Sequence, residues 1–119
     1  MVLCLDIRRA PGDTTITAAL LRRFSQRFIR NEWPGPRLPV LFYDPRGLIE
    51  IQTHRASLHA KCVVVDGTRT FIGSANLTEA AQLRNIEIGV VTTDTPIAAA
   101  VERHIDALIE AGHLQRLPL

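Results

Sequence analysis

The sequence predicts an α/β fold in which a mixed β-sheet is flanked by helices, as in an α/β sandwich. Short apolar runs of strand length alternate with segments whose apolar residues recur about every four positions. Pro, Gly and Asp separate these segments, as expected for turns. Strands that alternate with amphipathic helices are typical of α/β layers. A length of 119 residues suits a single domain over residues 1–119.

The N-terminal part of the chain predicts a strand, a helix and a second strand. Residues 2–7 form an apolar, strand-like run, and Asp13 or Thr14 can cap the helix that follows. The apolar stripe of that helix has a four-residue period: Ile16, Leu20, Phe24 and Phe28. The run from Trp33 to Pro36 ends the helix, and residues 38–43 predict the second strand.

The middle of the chain predicts three further strands. A short one follows the turn residues that begin at Asp44 and covers residues 48–52. Residues 60–66 are strongly strand-like. Asp66-Gly67 then begins a turn into a returning strand at residues 70–73.

The C-terminal part predicts a helix, a strand and a long final helix. Residues 78–82 have a helical pattern, and residues 86–93 alternate and then run apolar, as a strand does. Asp94 can cap the last helix, Pro96 lies in its first turn, and Gly112 closes it. One apolar stripe runs along this helix: Ile97, Val101, Ile105, Leu108 and Ile109.

Composition narrows the class of protein. The net charge is +2, which permits contact with a polyanion without requiring it. No apolar run approaches the roughly 18 residues of a membrane span, and no signal-like segment opens the chain, so we expect a cytoplasmic protein without membrane contact. Cys4 and Cys62 predict buried thiols. His54, His104 and His113 have no metal-ligand spacing, and we expect no metal and no cofactor.

The residues that suggest chemistry lie between residues 58 and 91. His59 and Lys61 are two positions apart on a predicted strand, so their side chains share one face. Asn76 ends the returning strand and Glu87 begins the next, which can bring both to the same edge. An imidazole can attack phosphorus, while an ammonium and an amide hold phosphate oxygens without a metal. A carboxylate on the other ring nitrogen would fix the tautomer.

The same residues resemble the extended motif of the phospholipase D superfamily, which reads His59-x-Lys61, four residues, Asp66, six residues and Gly73-Ser74-Ala75-Asn76. The resemblance implies a phospholipase D-like α/β sandwich, of which this chain is one motif-bearing half. It implies His59 as the nucleophile, Lys61 and Asn76 as phosphate-binding residues, and Ser74 as a supporting donor. Glu87, eleven residues beyond the asparagine, would orient the histidine. Asp66 belongs to the catalytic motif, although its turn position suggests an architectural role.

Sites of this superfamily use two such motifs, and this chain has one. The resemblance therefore implies either a homodimer or a missing N-terminal half, in which case the chain is part of a longer protein. The amino-acid sequence at residues 57–61 and 76–87 is also similar to the second half of bacterial superfamily members linked to phage defence.

We therefore expect a metal-independent phosphodiesterase, specifically a nuclease that hydrolyses DNA through a phosphohistidine, with nucleic acid as its partner. A phospholipase or phosphatidyltransferase with the same chemistry is an alternative. A catalytically incomplete DNA-binding half is another. Six arginines can form a phosphate-facing stripe or a solvated surface: Arg8, Arg9, Arg22, Arg23, Arg27 and Arg30.

Overall fold

The computed structural model describes residues 1–76 and 83–119 and confirms a mixed α/β fold. The helix predicted at 78–82 lies outside the described residues. The elements are β1 (Val2–Leu5), α1 (Thr17–Arg27), β2 (Val40–Tyr43), β3 (Cys62–Val65), β4 (Arg69–Gly73), β5 (Gly89–Thr92), α2 (Thr95–Glu110) and β6 (Gln115–Arg116). The chain divides into two compact units, unit 1 (Met1–Leu58 with Ile109–Leu119) and unit 2 (His59–Leu108). The expectation of one domain over residues 1–119 stays a prediction.

Unit 1 contains a three-stranded mixed sheet in the order β1-β2-β6. β1 runs parallel to β2, with Val2 opposite Val40, and β6 pairs antiparallel to β2, with Phe42 opposite Arg116. The Leu117 N–H donates to the Leu41 carbonyl at 2.8 Å and extends this second ladder. β6 was not predicted, because a two-residue strand of Gln and Arg carries no apolar pattern.

The core of unit 1 joins this sheet to α1. Its buried residues are Ile7, Leu20, Leu21, Phe28, Leu41, Tyr43, Leu48 and Leu117. Two parts of the prediction for α1 are wrong. Ile16 is 73% exposed because it precedes the helix, where no side chain caps the N-terminus. The Asp13 carboxylate accepts the Thr15 N–H at 2.8 Å instead, within the loop before the helix.

The strand predicted at 48–52 is wrong. Asp44 caps a short 3₁₀ turn at Pro45–Leu48, and a second such turn follows at Gln52–His54. Between them, the Arg55 guanidinium binds the carbonyls of Ile49 and Glu50 at 2.7 and 3.0 Å. In the described part of the chain neither residue belongs to a β-ladder, and the two carbonyl oxygens accept from Arg55 instead.

Arg9 is buried, with 3% of its surface exposed, so it cannot belong to a phosphate-facing stripe. Its guanidinium binds the carbonyls of Leu48 at 2.7 Å and Asp13 at 3.1 Å, and also that of Thr15. It also binds the Thr17 hydroxyl at 3.1 Å. A buried cation is tolerated where its N–H groups are hydrogen-bonded, and here they tie the loop before α1 to the rest of unit 1.

Unit 2 contains an antiparallel sheet in the order β3-β4-β5. The hairpin between β3 and β4 turns at Asp66 and Gly67, whose φ angles are +53° and +61°. Two successive positive φ angles and the Thr68 N–H bond to the Val65 carbonyl, at 3.1 Å, fit the tight turn predicted from Asp66-Gly67. The long final helix is also confirmed as α2, which ends just before Gly112 at φ +76°.

Candidate active site

His59 and Lys61 lie just before β3 rather than on a strand, because β3 begins at Cys62. The Lys61 carbonyl nevertheless accepts the Gly73 N–H at 3.0 Å, which continues the β3–β4 register by one pair. Gly73 in turn pairs with Gly89 on β5. Lys61 is therefore fixed at the edge of the sheet where β3 begins and β4 ends.

The side chains of His59 and Lys61 contact each other. Lys61 Nζ lies 3.1 Å from Nδ1 and 3.3 Å from Nε2 of the imidazole, and 2.9 Å from the His59 carbonyl oxygen. An ammonium group can only donate, and which ring nitrogen accepts from it depends on the tautomer of the imidazole. His59 is exposed and Lys61 is half-buried. The structure therefore places an imidazole and an ammonium group side by side just before β3.

Ser74 and Glu87 form a second pair at the same edge. Ser74 directly follows β4, and its N–H donates to the Ile88 carbonyl at 3.0 Å. Its hydroxyl donates to the Glu87 carboxylate and accepts the Ile88 N–H at 3.2 Å. Asn85 Nδ2 donates to the other Glu87 oxygen at 3.3 Å. The carboxylate is therefore held by two side chains of unit 2.

Glu87 makes no hydrogen bond to the His59 imidazole within the part of the chain that the structure describes. Its described hydrogen bonds are to Ser74 and Asn85, whereas the ring nitrogens of His59 contact Lys61. The pairing of β3 with β4 nevertheless brings both side-chain pairs to the same edge of the sheet. The Lys61 carbonyl accepts the Gly73 N–H, and Ser74 directly follows Gly73. Asn85 was missed in the sequence, where a lone asparagine two residues before a glutamate gives no distinctive signal.

Asp66 and Asn76 do not contact either pair in the described part of the chain. Asp66 lies at the other end of β3 from Lys61, and five residues of extended chain span about 16 Å. This placement matches its predicted role in the turn and separates it from the catalytic group with which it was assigned. Asn76 is exposed, three residues beyond the end of β4.

A pair of glycines shapes the edge of the sheet beside these residues. Gly73 and Gly89 are directly opposite, and a Cβ atom added to either would lie 2.6 Å from the ring of Phe71. The Phe71 ring therefore occupies the space above both glycines. Phe71 is a supporting residue that the sequence analysis missed, although an aromatic two positions before a strand glycine is the signal that could have indicated it.

An open apolar groove of about 400 Å³ lies next to Lys61, and it is called the Lys61 groove below. Its floor comes from the start of β3 and from β4, and its wall from α2. The lining residues are Ala60, Lys61, Cys62, Ile72, Ala100, Val101, His104 and Ile105. A substrate held by Lys61 would find apolar surface on one side.

Residues 1–76 and 83–119 contain no cluster of three or more His, Cys, Asp or Glu side chains arranged to hold a metal ion. None of the described helices has the length and apolar character that a membrane span requires.

Most of the chain matches the model of a known protein family. The family model described as "cardiolipin synthase, PLD-like domain" matches residues 20–109. The matched region includes most of α1, the four strands β2 to β5, nearly all of α2, and both side-chain pairs. The searches of curated proteins and of solved structures returned no significant match.

Proposed function

The chain belongs to the phospholipase D superfamily, and on that premise we propose that it is a metal-independent nuclease that hydrolyses DNA through a phosphohistidine on His59. Membership supports a phosphodiester-hydrolysing enzyme in general. The observation that carries the more specific proposal is the contact between Lys61 Nζ and the His59 ring, at 3.1 Å and 3.3 Å from its two nitrogens. This contact supports the proposal because an imidazole and a cation this close together can both reach one phosphate.

In the proposed reaction, an unprotonated ring nitrogen of His59 attacks phosphorus. A P–N bond forms, and the P–O bond to the leaving group breaks. The leaving oxygen takes a proton from a second imidazole, supplied by another copy of the chain or by another half of a longer protein. Water then gives a proton to the second imidazole as it attacks the phosphohistidine, the P–N bond breaks, and a phosphomonoester is released.

The other residues of the site have supporting roles in this proposal. Lys61 leaves the imidazole and binds the non-bridging phosphate oxygens, where charge increases in the transition state. Ser74 donates to the phosphate once its hydroxyl turns away from the Glu87 carboxylate, and Glu87 orients an imidazole when the site is assembled. Asn76 adds an amide donor to the phosphate. Asp66 keeps its role in the hairpin turn.

Charge favours DNA over a neutral substrate. Unit 1 contains ten arginines and six acidic residues, a net charge of +4, whereas unit 2 contains four basic and six acidic residues, a net charge of −2. A charge imbalance of this kind raises the local concentration of a polyanion near the basic unit.

The test is cleavage of plasmid and short duplex DNA by the purified chain in the presence of a chelator. We expect turnover by the wild-type chain and a loss of about 1,000-fold or more in His59→Asn. His54→Asn is the matched control, since His54 is also exposed and lies outside the site. Equal cleavage by His59→Asn and the wild type would refute the mechanism. DNA binding with no cleavage at any protein concentration would favour the catalytically incomplete half.

The need for a second imidazole is tested by concentration. If two copies assemble the site, cleavage per chain rises with protein concentration and follows the dimer fraction measured by light scattering. Full activity of a strict monomer would contradict the two-histidine mechanism.

The Lys61 groove favours one alternative, a phosphodiesterase that acts on phospholipid. The groove is lined almost entirely by apolar atoms and adjoins Lys61, so it suits the apolar part of a lipid phosphodiester. Val101→Trp fills the groove, and Ile97→Trp, elsewhere on α2, is its control. Two results together would establish this alternative. The wild type would hydrolyse phosphatidylglycerol vesicles without cleaving DNA, and the hydrolysis would be lost in Val101→Trp but kept in Ile97→Trp.

A further inference from the structure

Unit 1 has a second charged feature that the site does not use. A cleft of about 400 Å³, called the arginine cleft below, is lined by Arg8, Arg23 and Arg27 together with Asp6 and Phe24. The three arginine side chains are 56%, 66% and 60% exposed. None of these residues belongs to the pairs formed by His59 with Lys61 or by Ser74 with Glu87.

The sequence around this cleft is unusually one-sided in charge. Residues 14–31 contain four arginines and no acidic residue. The sequence pattern groups Arg23, Arg27 and Arg30 on one helical face, but Arg30 does not line the cleft. The chain changes to a π-helical turn at Phe28–Glu32, which alters the angular spacing of side chains after Arg27. The third arginine that lines the cleft is Arg8, which lies in the segment after β1.

Each guanidinium in the cleft is already held in one orientation. Arg8 pairs with Asp6 at 2.6 Å and also donates to Ser57. Arg27 pairs with Glu32 at 2.8 Å and lies 5.3 Å from the centre of the Phe24 ring. Arg23 donates to the Thr15 hydroxyl at 3.3 Å. Orienting contacts of this kind lower the cost of binding a phosphate.

The carboxylates near the cleft do not prevent phosphate binding. Asp13 is 3.9 Å from Arg23, and both side chains of the pair formed by Arg27 and Glu32 are exposed. Exposed ion pairs add little to stability and are screened by salt, so a phosphate oxygen can replace the carboxylate. A guanidinium also offers a fork of donors that matches phosphate oxygens.

We propose that the arginine cleft binds the phosphate backbone of nucleic acid through Arg8, Arg23 and Arg27, in addition to whatever the catalytic site contacts. A polymer fits better than a single phosphate because the cations are spread along the chain. Arg23 and Arg27 are four residues apart on α1, about 6 Å along its axis. This separation is close to two phosphate steps of one DNA strand, at about 3.4 Å along the axis for each step. The choice of nucleic acid as the polyanion rests on the proposed nuclease function.

The test is fluorescence anisotropy with a labelled 20-base-pair duplex and the matching single strand, using the full chain. Arg23→Gln combined with Arg27→Gln should weaken binding about 10-fold or more and lower the slope of log affinity against log salt by about 2. Arg37→Gln, an exposed arginine of unit 1 outside the cleft, should bind like the wild type. Arg23→Lys with Arg27→Lys should retain most of the salt slope, which separates charge from a structural role.

Several outcomes would overturn the proposal. Wild-type binding by the double glutamine variant would do so, as would binding to anionic phosphatidylglycerol vesicles without any binding to DNA. If the glutamine variant fails to fold by circular dichroism, the wild-type salt slope decides, and a slope near zero overturns the proposal. Cleft-dependent binding without DNA cleavage would support the cleft and contradict the nuclease. Cleavage that needs His59 but not the arginines would support the nuclease and contradict the cleft.

Discussion

The Ser74 hydroxyl donates its hydrogen to the Glu87 carboxylate and accepts the N–H of the following residue, Ile88. This arrangement joins the end of β4 to the segment before β5 through one side chain. It also leaves Glu87 with hydrogen-bond donors on both oxygens, because Asn85 binds the second one. The orientation of the Glu87 carboxylate is thus fixed by residues of unit 2 alone.

If Ser74 acts through Glu87, their substitutions are not additive. We expect Ser74→Ala to lower kcat for DNA cleavage about 10-fold and Glu87→Gln about 100-fold, with the double variant no worse than Glu87→Gln. A double-mutant cycle on kcat checks this, and Thr53→Ala is the control for loss of an exposed hydroxyl outside the site and the arginine cleft. Independent, multiplicative effects would show that the two residues act separately.

Thr70 and Thr92 lie opposite each other on β4 and β5 but differ in their hydrogen bonds. Thr70 is fully buried and its hydroxyl has no partner within the described residues, whereas the Thr92 hydroxyl accepts the Asp94 N–H at 3.1 Å. Thr70→Val should therefore raise the free energy of unfolding by about 1 kcal/mol. Thr92→Val should lower it by about 0.5 to 1 kcal/mol.

Urea denaturation of the two valine variants measures both changes, and each serves as the control for the other. The prediction depends on their opposite sign. A loss of stability in Thr70→Val as large as that in Thr92→Val would mean that the buried hydroxyl has a partner.

Hydrogen bonds from Arg46 hold the pKa of Asp44 below its usual value, although burial acts in the opposite direction. The charged form is favoured in the folded state, so Asp44 stabilises the fold above the unfolded pKa of about 3.8 and loses this effect as pH falls through the lower folded pKa. Asp44→Ala also removes the cap of the 3₁₀ turn and should cost about 1 to 2 kcal/mol at pH 7. The difference from wild type should shrink below about pH 4.

Chemical denaturation at several pH values between about 2.5 and about 7 measures this difference in the free energy of unfolding. Asp106→Ala on the exposed surface of α2 is the control for removing a carboxylate. If the difference in free energy of unfolding between the Asp44 variant and wild type stays constant over this pH range, the stabilising effect does not depend on the charge of Asp44.

The contact between the Phe71 ring and the paired glycines predicts a coupled loss of stability. A Cβ at Gly73 would lie 2.6 Å from Phe71 Cζ, so Gly73→Ala should cost about 1 to 3 kcal/mol. In a Phe71→Leu background, the shorter side chain removes the clash and the same glycine change should cost less. Thermal denaturation of the single and double variants checks this coupling.

Ile72→Ala is the comparison for that cycle, because Ile72 is on the opposite face of β4 from Phe71 and should combine with Phe71→Leu additively. Equal cost of Gly73→Ala in both backgrounds would show that the ring does not restrict this position.

Much of the local structure follows from residue order. The apolar runs at 38–43 and 60–66 contain β2 and β3, and the stripe from Ile97 to Ile109 lies within α2. The Asp66-Gly67 turn and the motif from His59 to Asn76 could likewise be read directly, because turn chemistry and motif spacing depend on neighbouring residues. The side chains of His59 and Lys61 contact each other although the observed strand β3 begins after them, at Cys62.

The sequence by itself determined the α/β class, the superfamily and the identity of the residues proposed for chemistry, since these depend on short-range patterns. The tertiary structure decided which partners the polar groups take. Arg55 binds the carbonyls of Ile49 and Glu50, which are not part of a strand, Arg9 is buried among carbonyls, and Glu87 bonds to Ser74 and Asn85. The physical reason is that a polar group can be satisfied by any donor or acceptor that folding brings near it, and residues far apart in sequence supply many of them.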